Sequence, residues 1–186
     1  MPGVRSIDVN GSSELKPLSS FSIKSALKDP INANIVLIRG LPGSGKTSLA
    51  DMIDCDYSVA TDDFFMVNGV YQYDRDLLSE NHGKCAEFVK DKISRHYPIG
   101  CNIVIHNTFS ERWEMQVYIE LANDNNYNHR VIDLFDAGLE DKQLEVRNEH
   151  SVREEDIFAM RERWEHQWRD KDTRPPWERD EGIDNE

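Results

Sequence analysis

A doubly wound α/β fold, with a mainly parallel sheet and helices on both faces, is what this sequence predicts. Three observations carry the prediction. Apolar, strand-length runs alternate with segments of helical period from residue 35 onward. The first run, Ile35-Val36-Leu37-Ile38, leads straight into RGLPGSGKTSLA at 39–50, which has the phosphate-loop spacing Gly40-x-x-x-x-Gly45-Lys46-Thr47. A later run, NIVIH at 102–106, has the continuous apolar centre of a strand covered on both faces.

Taken in order, residues 1–30 contain Ser, Gly and Lys with weak periodicity and predict a flexible N-terminal extension. The domain proper is assigned to 31–169. Its first strand is 35–39, followed by a helix from about Thr47. YSVAT (57–61) predicts a second strand. From Asp76 to Arg95 a helix places Leu77, Leu78, Cys85, Phe88, Val89 and Ile93 largely on one face. After the strand at 102–106, Thr108 and Glu111 form a T-x-x-E capping box for a helix over 111–122, which carries Trp113, Val117, Leu121 and Ala122.

RVIDLF (130–135) predicts the fourth strand, and a helix spans about 140–147. The last helix is expected over 153–168, with Ile157, Met160, Trp164 and Trp168 as its core stripe and Ser151 with Glu154 as its capping box. From Asp170 on, seven acids, three bases and Pro175-Pro176 predict a disordered acidic tail, 170–186.

The 186 residues suit one domain with ample length for a core. Net charge is −13, from 35 acidic and 22 basic residues. That balance disfavours tracking a long nucleic-acid backbone, where cationic patches supply affinity by counterion release. It leaves open a small-molecule acceptor, or one polynucleotide end gripped locally. Cys55, Cys85 and Cys101 lie far apart without C-x-x-C spacing, which predicts reduced core thiols. No apolar run approaches the ~20 residues of a membrane helix, so a cytoplasmic protein with no membrane partner is expected.

The phosphate loop predicts binding of ATP with Mg²⁺. Glycines let backbone N–H groups turn inward around a phosphate. The expected binding set is Gly40, Pro42, Gly43, Ser44, Gly45, Lys46, Thr47 and Ser48. Lys46 reaches the β/γ oxygens and the Thr47 hydroxyl ligates the metal. In an open α/β sheet the other functional residues follow the strands. After the second strand stand Asp62 and Asp63: one carboxylate to accept an acceptor hydroxyl's proton, one to help hold Mg²⁺, with Asp62 assigned as base and Asp63 as metal ligand. Pattern alone leaves the two interchangeable, and either can instead cap a turn.

Asn107 can donate to a phosphate or serve the backbone. The third strand ends in His106 where a hydrolytic motor would carry Asp-Glu, and Asp136 has no glutamate beside it, which argues against a motor ATPase. The stretch 144–150 has the composition of a mobile lid, with Arg147 the candidate to stabilise the transferring phosphoryl group and Arg153 the next. Arg75 and Arg112 could hold an acidic acceptor or be plain surface charge.

GLPGSGKT, TDDFF, a third strand ending in Asn107-Thr108, and R-N-x-H at 147–150 together resemble the polynucleotide-kinase-like branch of the P-loop kinases. The resemblance covers about 35–168. It implies a kinase fold, ATP with Mg²⁺, Asp62 as general base and an arginine lid including Arg147. Two positions depart from the pattern. His106 replaces a usual acid, and Phe65 stands where phage-type members carry an arginine that grips the acceptor's phosphate. The expected function is a phosphotransferase moving the γ-phosphoryl of ATP to an acceptor hydroxyl, a polynucleotide 5′-hydroxyl end being the first candidate. A nucleoside or small-metabolite kinase, and a non-catalytic nucleotide-binding switch, are the alternatives.

Overall fold

The computed structural model describes residues 34–179; the expected N-terminal extension lies outside them. Five-residue strand β1 (Ile35–Arg39) is completely buried. It runs parallel between β5 (Ile103–Asn107) and β6 (His129–Asp133), and β2 (Tyr57–Val59) pairs parallel with β5, giving the order β2-β5-β1-β6. A second, two-stranded antiparallel sheet joins β3 (Met66–Val67) to β4 (Val70–Tyr71).

Side-chain alternation along β1 assigns its two faces. Ile35 and Leu37 pack with Ile103 and Ile105 against α2 (Leu78–His96) and α3 (Arg112–Asp124). Val36 and Ile38 face the other way, onto Ala50 of the short helix α1 (Lys46–Ala50). Beyond the end of β1, Leu41 enters a third cluster with Leu144 of α4 (Asp141–Arg147) and Ile157 of α5 (Glu154–Glu162). Helices therefore cover both faces of a parallel sheet, the doubly wound α/β arrangement.

Several local expectations are corrected. The second strand stops at Val59, because the Asp63 carboxylate accepts the Ala60 N–H at 2.8 Å and turns Thr61–Phe65 into a 3₁₀ segment. The core stripe of α3 is Met115, Tyr118, Ile119 and Ala122, at i, i+3, i+4 and i+7, while Val117 is exposed. Leu77 is likewise exposed, sitting in a 3₁₀ turn (Arg75–Leu77) ahead of α2. The capping box of α3 lies three residues later than expected: Glu111 N–H donates to the Glu114 carboxylate at 2.9 Å. Thr108 instead offers its carbonyl to Gly40 N–H at 3.1 Å.

Ser151 caps nothing; its φ is +57°, and Arg153 precedes the first turn of α5. That helix ends at Glu162, short of the expected Trp168, because tertiary bonds capture the segment beyond it. Glu165 N–H donates to Ser110 carbonyl and the Glu165 carboxylate accepts from Arg112 N–H. Ile157, Trp164 and Trp168 remain buried nevertheless. The tail expected to be disordered carries a 3₁₀ turn at Pro176–Glu178, with Trp177 edge-on to Trp113 at 5.1 Å and Arg179 3.8 Å from Glu111. Residues 180–186 lie outside the described ones. The three cysteines are unpaired, with Cys85 and Cys101 buried. Among the described residues no helix is long and apolar enough to cross a membrane.

Candidate functional site

The site forms where β1, β5 and β6 end together. Gly40 N–H donates to Thr108 carbonyl at the exit of β5, and Leu41 N–H donates to Phe135 carbonyl just past β6, so both neighbours fix where the loop leaves the sheet. Gly43 and Gly45 take φ of +78° and +94°, the region that favours glycine. A Cβ at Gly40 would lie 2.4 Å from Ser44 Oγ. The loop wraps tightly at that point.

Ser44 is buried, and its Oγ finds no hydrogen-bond partner among the described residues. An orphaned buried hydroxyl is costly unless a ligand completes it. It sits in a loop whose first helical N–H groups have no intrahelical acceptor, so the cradle fits an anionic oxygen cluster. Because α1 is only five residues long, the field on such an anion comes from loop amides and Lys46 rather than from a long helix. Pro42 is half-buried on the rim; Thr47 and Ser48 are exposed at the helix start. A hard cation here would take Thr47 Oγ1 and the oxygens of a bound triphosphate.

Lys46 folds back to donate to Leu41 carbonyl at 3.0 Å. Burial pulls its pKa down to about 8, and the negative charge of Asp62 partly offsets that. Among the described residues Lys46 makes no ion pair, and a triphosphate would supply one.

The two adjacent acids separate cleanly. Asp63 caps the 3₁₀ turn through Ala60 N–H. Asp62 faces the site: Tyr71 Oη donates to its Oδ1 at 2.9 Å and His150 Nε2 lies 3.5 Å from its Oδ2. The Tyr71 hydroxyl's pKa is raised by burial and by the Asp62 charge, so it remains a donor. His106, half-buried on β5, has its pKa lowered by burial, against the opposing charge of Asp63, and is neutral at pH 7. Asn107 divides its roles: Oδ1 accepts Thr61 N–H at 2.8 Å, whereas Nδ2 is buried without a partner.

Arg147 ends α4, exposed and without an ion pair or hydrogen bond among the described residues. Asn148 staples the following loop, donating to Glu145 carbonyl at 2.7 Å and Val152 carbonyl at 2.9 Å while accepting Val152 N–H at 2.8 Å. That loop delivers His150 to Asp62. Arg153 is surface charge, 3.5 Å from both Glu155 and Asp156. Arg112 donates to the carbonyls of Trp168 and Arg169, a structural duty. Asp136 is held by Arg161 at 2.5 Å, which accounts for the lone acid.

Sequence reasoning missed Tyr71, His150 and Arg39. For Tyr71 a signal existed: Asn68-Gly69, with φ of +53° and +79°, is a two-residue hairpin turn that returns the chain to Asp62. For His150 the N-x-H spacing was visible but not its destination. Nothing in the sequence marks Arg39 as buried.

Residues 35–169 match a family model described as an AAA domain. NEDD4-binding protein 2 of Homo sapiens is 36% identical over 141 residues, covering 70% of this chain and 8% of that protein. A chain in the structure of the Pnkp1/Rnl/Hen1 RNA repair complex superposes with a TM-score of 0.55 at 16% identity, over 76% of this chain and 47% of that one. At that identity the superposition speaks for the fold. This chain thus spans under half the length of either protein. The family match begins with β1 and runs through the segment that holds Glu165 and Trp168, and the sheet and loop are those of a P-loop kinase-like fold. The chain belongs to this AAA-domain family.

Proposed function

We propose that the protein is an ATP-dependent phosphotransferase that moves the γ-phosphoryl of ATP to an acceptor hydroxyl, with a polynucleotide 5′-hydroxyl end the first acceptor. The observation that carries this is the setting of the Asp62 carboxylate, with Tyr71 Oη donating to one oxygen at 2.9 Å and His150 Nε2 lying 3.5 Å from the other. The charge of Lys46 senses the Asp62 carboxylate, and no lysine or arginine among the described residues is bonded to that carboxylate. A carboxylate in that position is available to a substrate proton.

In this reading the loop amides, Ser44 Oγ and Lys46 bind and orient the triphosphate. Mg²⁺, held at Thr47 and the phosphates, would supply charge neutralisation of the transferring group. Asp62 accepts the acceptor's hydroxyl proton as the new O–P bond forms and the bond to the β-phosphate oxygen breaks, its electron pair leaving with ADP. Asp63 spends one carboxylate oxygen on the Ala60 N–H of its turn. Arg147 would swing over the phosphoryl group when the loop is loaded. The name of the superposed RNA repair complex supports a nucleic-acid end as acceptor. Phe65 and the net charge of −13 favour a nucleoside or other small metabolite as the second reading.

The test is incubation with ATP labelled at the γ-phosphate and a panel of 5′-hydroxyl oligonucleotides, nucleosides and polar metabolites. Label transferred to oligonucleotides, and lost in Lys46→Ala, is the expected result. Nucleotide binding with no transfer to any acceptor would leave a nucleotide-binding switch instead.

A further inference from the structure

The β3–β4 hairpin borders Asp62, because Tyr71 on that hairpin donates to the carboxylate. The hairpin is unusually apolar for an exposed element. Met66, Val67 and Val70 are each about half exposed, and Tyr73, two residues beyond Tyr71, is 55% exposed. Phe65 is only 1% exposed, so it is not itself a ligand contact. It braces the aromatic rings instead, with Tyr71 at 6.1 Å and Tyr73 at 5.2 Å between centroids. One face of Tyr71 is covered by His150, whose ring lies 4.4 Å away and tilted by 36°. Tyr73 has only Phe65 against its ring, and the rest of it is open to solvent.

We propose that the β3–β4 hairpin and Tyr73 form the acceptor subsite, and that it takes a nucleoside ring at the 5′-hydroxyl end by stacking on Tyr73, without a cationic grip on the acceptor's phosphate. This rests on the phosphotransferase reading above and names how its acceptor is recognised. Two observations favour a ring over a phosphate. The residue three past Asp62 is a buried brace rather than a cation, and beyond Tyr73 the exposed Arg75 is flanked by Asp74 and Asp76, so that stretch carries a net negative charge, which disfavours a phosphate but is neutral toward a base. Stacking is sequence-tolerant because every base has a π-face. A second copy of the chain is the other conceivable occupant. Four half-exposed side chains fall far short of the roughly 800 Å² per partner that a stable interface buries.

A 5′-hydroxyl trinucleotide with 2-aminopurine as its first base provides the probe, added to protein saturated with a non-hydrolysable ATP analogue and Mg²⁺. We expect saturable quenching of the ring fluorescence, an affinity loss of about tenfold in Tyr73→Ala, and near wild-type affinity in Tyr73→Phe. A trinucleotide abasic at the first position should compete about tenfold more weakly than its intact counterpart, while binding should change little between 50 and 200 mM salt.

Absence of quenching, equal competition by the abasic strand, or a steep salt dependence would overturn the proposal. So would a dimer in sedimentation whose formation displaces the probe. Transfer of label to the same trinucleotide is measured in parallel. Quenching without transfer removes the phosphotransferase reading, and transfer without quenching removes the stacking subsite alone.

Discussion

Gly43 in the phosphate loop touches the last turn of α4 so closely that a Cβ on it would lie 2.3 Å from the carbonyl oxygen of Leu144. The nucleotide cradle and the helix that carries Arg147 are thereby one packed unit. Gly43→Ala should force them apart and also strain a φ of +78°, at about 1 kcal/mol or more. We expect a melting temperature lower by several degrees and ATP affinity weakened about tenfold by calorimetry. Wild-type values in both would mean the contact is soft.

Asp62→Asn should keep ATP binding and lose transfer by about 10²–10⁴, since an amide takes no proton. Asp63→Ala should do the reverse: transfer largely kept, stability lower by about 1 kcal/mol through loss of the turn cap on Ala60. Steady-state kinetics and urea denaturation of both variants check this. A large transfer defect in Asp63→Ala with Asp62→Asn near wild type would reverse the two roles.

Lys46, with its pKa drawn down to about 8 by burial, should make nucleotide binding pH-dependent. Bound polyphosphate favours the ammonium form, so near pH 8 binding takes up protons, and ATP affinity falls as pH rises further. Stability has the opposite sign. Between the folded pKa and the ordinary lysine value of 10.5 the unfolded chain binds more protons, so this group's contribution to stability rises with pH through that window. Calorimetry in buffers of different ionisation enthalpy reads the uptake; zero uptake would place a charged, fully solvated lysine in the free protein.

Arg39 is wholly buried at the end of β1. Its Nε donates to Phe109 carbonyl at 2.9 Å, and Nη1 and Nη2 donate at 3.0 Å to the carbonyls of Glu165 and Ser110. Asp133 lies 3.4 Å away and the Trp164 ring 4.1 Å beneath. Arg39→Met should cost about 3 kcal/mol or more by stranding those acceptors. Arg39→Lys should rescue little, because one ammonium cannot replace a fork. A loss under 1 kcal/mol in urea denaturation would contradict this.

Under the proposed function, Arg147→Ala should lower kcat more than it raises the KM for ATP, as its side chain has no partner among the described residues and the proposal has it act only when closed over the transition state. A change in KM alone would make it a uniform binding residue.

The parallel sheet and the phosphate loop were legible because each is written locally, in apolar runs and in glycine spacing. The boundaries failed where a distant group won. β2 ends early because Asp63 closes a turn, and α5 ends early because Ser110 and Arg39 claim Glu165. In the site, Lys46 and Asp62 were readable from position after strands. Which of Asp62 and Asp63 caps the turn was not, since it depends on which carboxylate finds the Ala60 N–H. Tyr71 and His150 come from a hairpin and a stapled loop, and their meeting at Asp62 is a tertiary fact.

The reach of Arg39 also bears on the order in which the chain can mature during synthesis. Chains emerge N-terminus first, at about 5–20 residues per second. The strand that leads into the nucleotide cradle emerges early, yet its charged side chain needs the carbonyl of Glu165, 126 residues downstream. Until that carbonyl arrives, β1 carries an incompletely bonded guanidinium into what will be the protein's centre. We therefore expect a nascent chain halted before Glu165 to remain protease-sensitive and unable to retain nucleotide, with both properties appearing together once that residue is free to close the structure.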